Sequence, residues 1–286
     1  MKIVTDSAAD LTREEIEQFG ITVAPLFIQF PGLEISADEI TPDDFYTRLR
    51  EMAPEIPTTA QPSAEMFRRI YEKWIQLKEE ILSIHISSGL SGTIGSARLG
   101  AEHGLDKYVH IIDSQTLSGG QRFQVLAAAR AFQRGWSREA VTQRLEQLRA
   151  STEVIYTLET LSYLARGGRI GRVQALAGAL LNIKPVIRVD REDGKYSTVG
   201  KARTIAKSLT MIVDHLVQEY GQTPVWVSVM HGQFADQAQN LAELLRARLN
   251  IGRLEILRIS PVLGVHTGPG IVGAAVAPMA LLEDLA

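Results

Sequence analysis

The segment from His85 to Ala97 reads HISSGLSGTIGSA, with the apolar run ILSI before it and ARLGAE after it. That is the grammar of a strand, a loop of small residues and a helix. It places Ser91 where a strand-to-helix turn presents a side chain to a cleft. Two chemistries suit such a serine: attack on an acyl group, or a hydroxyl that holds an anion. A nucleophile elbow needs G-x-S-x-G, and Gly89-Leu90-Ser91-Gly92-Thr93 brings its second glycine one place early. A triad of Ser91, His266 and an acid stays open, because triads are defined by geometry and not by order along the chain. A lipid hydrolase or esterase is therefore the enzyme alternative. Holding an anion asks for less: free N–H groups where a helix starts, plus hydroxyl donors. The plainest reading is that Ser87, Ser88 and Ser91 only cap the helix. Repetition favours a site over that reading. PTTAQPS, DSQTLSGG and GVHTGPG are further loops of hydroxyl residues, Gly or His, all at expected strand ends, where α/β crevices take ligands.

Other motifs carry less. GGRIGRV lacks the P-loop pattern G-x-x-x-x-G-K-[ST], and no G-x-G-x-x-G follows a strand, so no nucleotide cofactor is expected. The histidines, among them His85, His110 and His231, are scattered without ligand spacing, and no metal site is expected. Arg166, Arg169, Arg172, Lys184, Arg188, Lys201 and Arg203 gather in the middle of the second half. A solvated charged face is the ordinary reading of such a cluster. The functional one is a docking patch for an acidic partner or a phosphorylated product.

The elements that must position these loops alternate along the chain. KIVT reads as a buried strand, and DSAADLTREEIEQFG starts a helix with Thr12 and Glu15 as a capping box, Leu11 and Ile16 as its staple and Gly20 as its stop. ITVAPLFIQF reads as a strand. TPDDFYTRLREM is a helix with Pro42 at its first position, and PSAEMFRRIYEKW is another. ILSIHI and VHIID are continuous apolar runs, as in parallel strands covered on both faces. Two helices, SGGQRFQVLAAARAFQRG and SREAVTQRLEQLRAS, close this half. The second half opens with the strand VIYTLET and a Gly-punctuated, largely helical LSYLARGGRIGRVQALAGALLNI. KPVIRV and KYSTVGKAR flank DREDG, whose Asp193-Gly194 is a hairpin signal. Helices TIAKSLTMIVDHLVQEYG and FADQAQNLAELLRARLN alternate with strands VWVSVMHG and LEILRIS, and TGPGIVGAAVAP ends on a strand. The expected architecture is α/β: a three-layer α/β/α domain with a parallel sheet over 1–150, then a two-layer domain with a mixed sheet over 151–286.

Bulk properties narrow the function. The chain has 286 residues, 45% hydrophobic and 22% charged, with a formal charge of -3. It offers no basic surplus for a phosphate backbone, so nucleic-acid binding is not expected. There is no cysteine, which removes disulfides and thiolate chemistry. MKIVTDSAADL lacks the apolar core of a signal peptide, and no run of ~20 apolar residues spans a membrane. A cytoplasmic protein without stable membrane insertion is expected.

Taken in order, VTDSAADL, PTTAQPS, SSGLSGT, VHIIDSQTLSGG, GGRIGR with LLNIKPVI, KART and HTGPG resemble the DegV family over essentially the whole chain. These are bacterial fatty-acid-binding proteins that serve as the lipid-carrying subunit of fatty acid kinase. The resemblance implies a long-chain fatty acid bound between the two domains, its carboxylate held by Thr59, Ser91 and His266 and its acyl chain in an apolar tunnel. Thr58, Gln61, Ser88, Gly92, Thr93 and Thr267 are secondary candidates in the same loops. Many relatives have Ser where this chain has Ala60, which leaves the number of head-group donors open. The resemblance further implies a non-enzymatic carrier. A separate kinase phosphorylates the carboxylate to acyl phosphate for phospholipid synthesis, docking on the basic segments that hold Arg169, Arg172 and Arg203. A lipid-responsive regulator without a kinase partner is the remaining alternative. Hydrophobic transfer supports the division of labour: at ~0.8 kcal/mol per methylene, a chain of ~16 carbons gains more than ~10 kcal/mol before ordering costs, so the tail supplies affinity and the loops orientation.

Overall fold

The computed structural model describes residues 1–174 and 183–283. Strands β1 (Lys2–Asp6), β2 (Thr22–Ala24), β6 (Ile81–His85) and β7 (Val109–Asp113) form an all-parallel sheet in the order β2-β1-β6-β7. Both faces are covered, which is why their sequences run apolar without alternation. Helices α3 (Ala64–Gln76) and α4 (Thr93–Gly100) cover the outer face, where Phe67, Tyr71 and Ala97 pack with Val4 and Ile81. Helix α5 (Ser118–Gln133), with α6 (Arg138–Ser151) alongside, covers the inner face.

The far side of α5 meets a second sheet. Its strands are β8 (Glu153–Leu158), β9 (Lys184–Val189), β10 (Tyr196–Ala202), β11 (Val225–His231), β12 (Ile251–Arg258) and β13 (Ile271–Pro278), in the order β10-β9-β8-β13-β11-β12. Only β11 and β12 pair in parallel, so the sheet is mixed. Helices α8 (Ile205–Tyr220) and α9 (Ala235–Arg246) cover its outer face through Leu209, Ile212, Leu216, Leu241 and Leu245. Period-two alternation sorts each strand between the two cores. On β13, Val272, Ala274 and Val276 belong to the outer core and Ile271, Ala275 and Ala277 to the inner one. The α/β class, the parallel sheet and the mixed sheet are those read from the sequence. The expected boundary at 150 falls at the end of α6, and the inner core runs across it from Ile3 to Leu282.

Several local readings hold. Thr12 and Glu15 form the reciprocal capping box of α1 (Arg13–Phe19), at 3.2 and 3.0 Å. Pro42 opens α2 (Pro42–Glu51). The β9–β10 hairpin closes through Asp190–Lys195, with Gly194 at φ +66°.

The structure also departs from expectation. ITVAPLFIQF is two strands: Pro25, which lacks an N–H for the ladder, follows β2, and β3 (Phe27–Phe30) leaves for a separate antiparallel sheet. That sheet has the order β4-β3-β5, with β4 (Leu33–Ser36) and β5 (Thr58–Ala60). PTTAQPS thus begins as a strand. Of the long helical stretch expected after VIYTLET, only α7 (Ser162–Arg166) and a 3-10 turn at Gly171–Val173 are seen, and its continuation through 175–182 lies outside the described residues. A further helix, α10 (Pro261–Thr267), carries the loop GVHTGPG.

One ion cluster ties the layers together. Arg122 of α5 is 1% exposed, pairs with Glu15 of α1 and Glu255 of β12, and donates to Ser228 Oγ of β11 at 3.0 Å. Glu255 also accepts from Trp226 Nε1 at 2.8 Å. Removing Arg122 leaves the half-buried Glu15 without its cation and leaves Glu255 to the exposed Arg253. Arg122→Ala is expected to lower unfolding free energy by about 3–5 kcal/mol. Cutting the exposed Arg248–Asp214 pair with Arg248→Ala is expected to cost below about 1 kcal/mol. Urea unfolding of the two variants measures the contrast, and equal losses would show that the cluster does not brace the layers.

Candidate functional site

The loops at the carboxyl ends of β1, β6 and β7 open toward the inner face of the mixed sheet. Between them lies a cavity lined mainly by apolar side chains. Its floor is the sheet itself: Val154 and Tyr156 of β8, Met230 of β11, and Ile271 and Gly273 of β13. Ile86, Leu90 and Leu117 form one side, and Ile259, Val262 and Leu263 close over the top. At Gly273 a Cβ would come within 2.4 Å of Tyr156 Cβ. A small residue is needed there for the floor to lie flat.

Polar groups collect at one end. Strand β5 turns successive side chains to opposite faces, so its two threonines part. Thr59 lines the cavity, and its Oγ1 lies 2.9 Å from His266 Nε2. Thr58 is exposed and donates to Gln29 Oε1 on β3 at 2.9 Å. Ala60 shares the alternation of Thr58 and is not among the lining residues. The missing hydroxyl of the TT-A-Q segment therefore lies off the face that carries Thr59.

Ser91 reaches the same end from the loop before α4. Its Oγ is 2.8 Å from Thr93 Oγ1 and accepts from the Thr93 N–H at 3.3 Å. The N-cap of α4 is Gly92, without a side-chain cap, and Ser87 Oγ instead donates to the Gly194 carbonyl at 2.8 Å. Ser87 thus joins the serine loop to the hairpin, and at Gly194 a Cβ would sit 2.0 Å from that hydroxyl. Gln61 lies behind the loop: its Nε2 donates to Ser96 Oγ at 2.9 Å, and its Oε1 would lie 2.3 Å from a Cβ on Gly92. Ser88 is exposed, its N–H donating to Asp113 Oδ1 at 3.3 Å, and does not line the cavity.

Helix α10 brings His266 and Thr267 to the wall. Thr267 Oγ1 donates to the Leu263 carbonyl at 3.0 Å, and Ser118 Oγ, also lining, donates to Asp10 at 2.6 Å. Those hydroxyls are committed to the fold. Thr59, Ser91 and His266 remain to meet a ligand. Burial, with the Arg169 guanidinium nearby, pushes the His266 imidazole down to about 4, so it is neutral at pH 7. Its Nδ1 is buried without a partner. Tyr196, also on the wall, is pushed up to about 12 by burial. The head of the cavity thus combines neutral hydrogen-bonding groups, which can donate to a carboxylate directly, with the exposed Arg169 guanidinium.

Arg169 lines the same end of the cavity, and its Nη1 donates to the Gly167 carbonyl at 2.9 Å. Arg172 pairs with Asp193, and Arg203 is exposed just beyond β10. From sequence alone Arg169 is assigned only to a docking surface, and the expected apolar tunnel is given no lining residues.

The geometry does not form a triad at Ser91. His266 Nε2 faces Thr59, and among the described residues no acid reaches Nδ1. A series in triad order exists elsewhere. Asp6 Oδ2 lies 2.9 Å from His85 Nδ1, His85 Nε2 lies 2.7 Å from Ser83 Oγ, and Tyr71 Oη lies 2.9 Å from that hydroxyl. Asp6, Ser83 and His85 are at most 1% exposed, which makes His85 a satisfied core histidine. His110 contacts Arg138, and His231 Nδ1 accepts from the Phe234 N–H at 3.3 Å. Among the described residues no cluster of His, Asp and Glu could hold a metal ion, and no helix is long and apolar enough to cross a membrane.

Comparison with known proteins agrees over the full length. A DegV domain-containing protein of Deinococcus radiodurans is 36% identical over 277 residues, 96% of this chain and 95% of the relative. Among solved structures, the DegV family protein of Thermus thermophilus, described by its fatty acid binding, superposes with a TM-score of 0.90 at 34% identity, covering 97% of this chain and 99% of that one. A stearic acid-binding protein from Eubacterium ventriosum superposes at 0.89 with 28% identity, over 97% and 98% of the two chains. The sequence model described as "Uncharacterised protein, DegV family" matches residues 1–279, and with that match the chain belongs to the DegV family.

Proposed function

We propose that this protein is a non-catalytic carrier of a long-chain fatty acid. The observation that carries the reading is the cavity's division into an apolar floor on the mixed sheet and a polar end of Thr59, Ser91 and His266. The fatty-acid-binding relatives support it. In this reading the carboxylate accepts hydrogen bonds at the polar end and the tail lies along β8 and β13. The carrier then presents its carboxylate to a separate kinase, which transfers a phosphoryl group to give acyl phosphate. The exposed Arg203, together with Arg172, belongs to the surface on which that kinase docks. We place the protein in the cytoplasm, without a resident cofactor. Ser91 hydrogen-bonds to Thr93 and not to His266, which favours holding over attack.

Native mass spectrometry of the purified protein, followed by denaturation and identification of the released molecule, tests the reading. A stoichiometric long-chain carboxylic acid is expected. Empty protein that also refuses added palmitate would overturn it. Ser91→Ala removes one hydrogen bond to a charged group, so fatty-acid Kd should rise by about tenfold with Tm unchanged. An unchanged Kd would take Ser91 out of the site.

The low pKa of His266 sets a pH dependence. The ordinary imidazole titrates near 6.5 and His266 at about 4, so between those values the unfolded chain takes up a proton that the folded one refuses. Stability from this group is complete above about pH 6.5 and is lost as pH falls toward 4, by up to about 3 kcal/mol. Burial raises Asp10 to about 6, an opposite trend over much of the same range, so the comparison is with His266→Gln. The stability difference between wild type and variant should narrow on acidification from pH 7 to 4. A constant difference would mean that His266 is not held neutral.

A further inference from the structure

Away from its polar end the cavity is closed by a thin wall. Helix α10 carries His266 near its C-terminal end, and Ile259 stands just before its N-terminal end. Ile259 lines the cavity, and it also lines a second hollow between α1, the end of β2, the turn before α2 and the end of β12. Adjacent residues part across the same wall. Leu26 and Val262 face the cavity, while Pro25 and Pro261 face the hollow. Ser118 on the cavity side donates to Asp10 on the hollow side at 2.6 Å.

The hollow is lined mostly by apolar side chains, and four of them, Leu11, Ile16, Val23 and Leu257, are only half-buried. A concave apolar surface in contact with water is relieved when an apolar group covers it. Its charged groups are held within the protein: Arg258 donates to Asp43 at 2.9 Å, Asp38 accepts from Ser36, Asp6 faces His85, and Asp10 accepts from the Ser260 N–H at 2.7 Å. The wall itself is fixed nearly everywhere. The Ile259 N–H donates to the His231 carbonyl at 3.0 Å, and the Asp10 bond to Ser260 pins the next residue. Ser118 and Asp10 are both at positive φ, +53° and +49°, which non-glycine residues keep only where their surroundings hold them. The Ile259 side chain has no tether, and turning it breaks no hydrogen bond. It is the movable part of the wall.

We propose that the hollow bounded by Leu11, Ile16, Val23 and Leu257 receives the methyl end of acyl chains too long for the cavity, with Ile259 as the gate between the two spaces. This rests on the carrier reading above and extends its substrate class to acids longer than palmitate. A carboxylate fixed at Thr59, Ser91 and His266 leaves only the methyl end free to reach the wall. Each methylene that passes from water into the hollow improves Kd by about fourfold, and the same methylenes cover the half-buried side chains that line it.

Photolabelling and titration test the gate together. Docosanoate with a diazirine at its methyl end is bound to the wild-type protein and irradiated, and the labelled peptides are identified by mass spectrometry. Label at Leu11, Ile16, Val23 or Leu257 is expected. Unmodified docosanoate and palmitate are then titrated by displacement of a fluorescent fatty acid. Val23→Trp fills the hollow from a position outside the cavity, and should raise the docosanoate Kd by about tenfold with palmitate changed less than about twofold. Ile259→Ala should lower the docosanoate Kd relative to that of palmitate by about fourfold, the gain from one further buried methylene. The labelling uses wild type and decides the question even where a variant fails to fold. Protein that binds palmitate and refuses docosanoate, label confined to cavity residues such as Met230, or a Val23→Trp variant that shifts both acids alike or neither, overturns the gate and leaves the carrier standing. Two palmitates bound per chain would make the hollow an independent site and overturn the gate as well. Protein that binds neither acid overturns the carrier reading and the gate with it.

Discussion

The structure is built around a helix that has no free side. Helix α5 lies between two sheets, and nearly every residue from Ser118 to Ala131 is buried. On one side Gln121 donates to Thr5 Oγ1 and Asp6 Oδ1 at 3.1 and 3.2 Å. On the other, Phe123 packs at a tilt against Trp226 with ring centroids 5.4 Å apart. A helix wedged between two sheets holds them about 10 Å from its own axis on either side. Just past its first turn nothing fills that gap. The cavity is that unfilled continuation, and Leu117 and Ser118 at the helix start are part of its wall. The space for a narrow apolar ligand thus follows from the thickness of the helix beside it.

Burial on two sides also explains what the amino-acid sequence conveys and what it hides. Caps and turns are local events, so Thr12 with Glu15, Pro42 and Asp193-Gly194 are legible residue by residue. Parallel strands are legible as unbroken apolar runs. The same unbroken runs conceal which residues face the ligand: VIYTLET and VWVSVMHG are apolar on both faces, and only the structure sends Tyr156 and Met230 to the cavity and Val227 and Val229 to the outer core. The parting of Thr58 and Thr59 depends on the pairing of Thr59 with Ile28, a contact between distant segments. Helix α10 has seven residues, too few for a helical period to declare itself, so its loop was legible and its backbone was not. The β4-β3-β5 sheet escaped for the same reason, being assembled from strands of three or four residues.

Two groups of similar composition take opposite roles because of their surroundings. Ser83, His85 and Asp6 have the order and distances of a catalytic relay but no route for a substrate, and their hydrogen bonds serve to satisfy buried polar atoms and fix β1 against β6. Ser91 and His266 border a cavity yet face Thr93 and Thr59 instead of each other. Access without alignment suits retention of a ligand, and alignment without access suits rigidity.

The two ends of the cavity are supplied by different parts of the fold. The hydroxyls and imidazole come from β5, the α4 loop and α10, whereas the floor comes from β8, β11 and β13. The Gly273 position determines how closely the floor approaches Tyr156. Descent with modification can therefore act on the two ends separately. A lineage that acquires larger or smaller side chains along the inner face of β13 reshapes the apolar floor and keeps the same hydroxyls and imidazole at the opposite end.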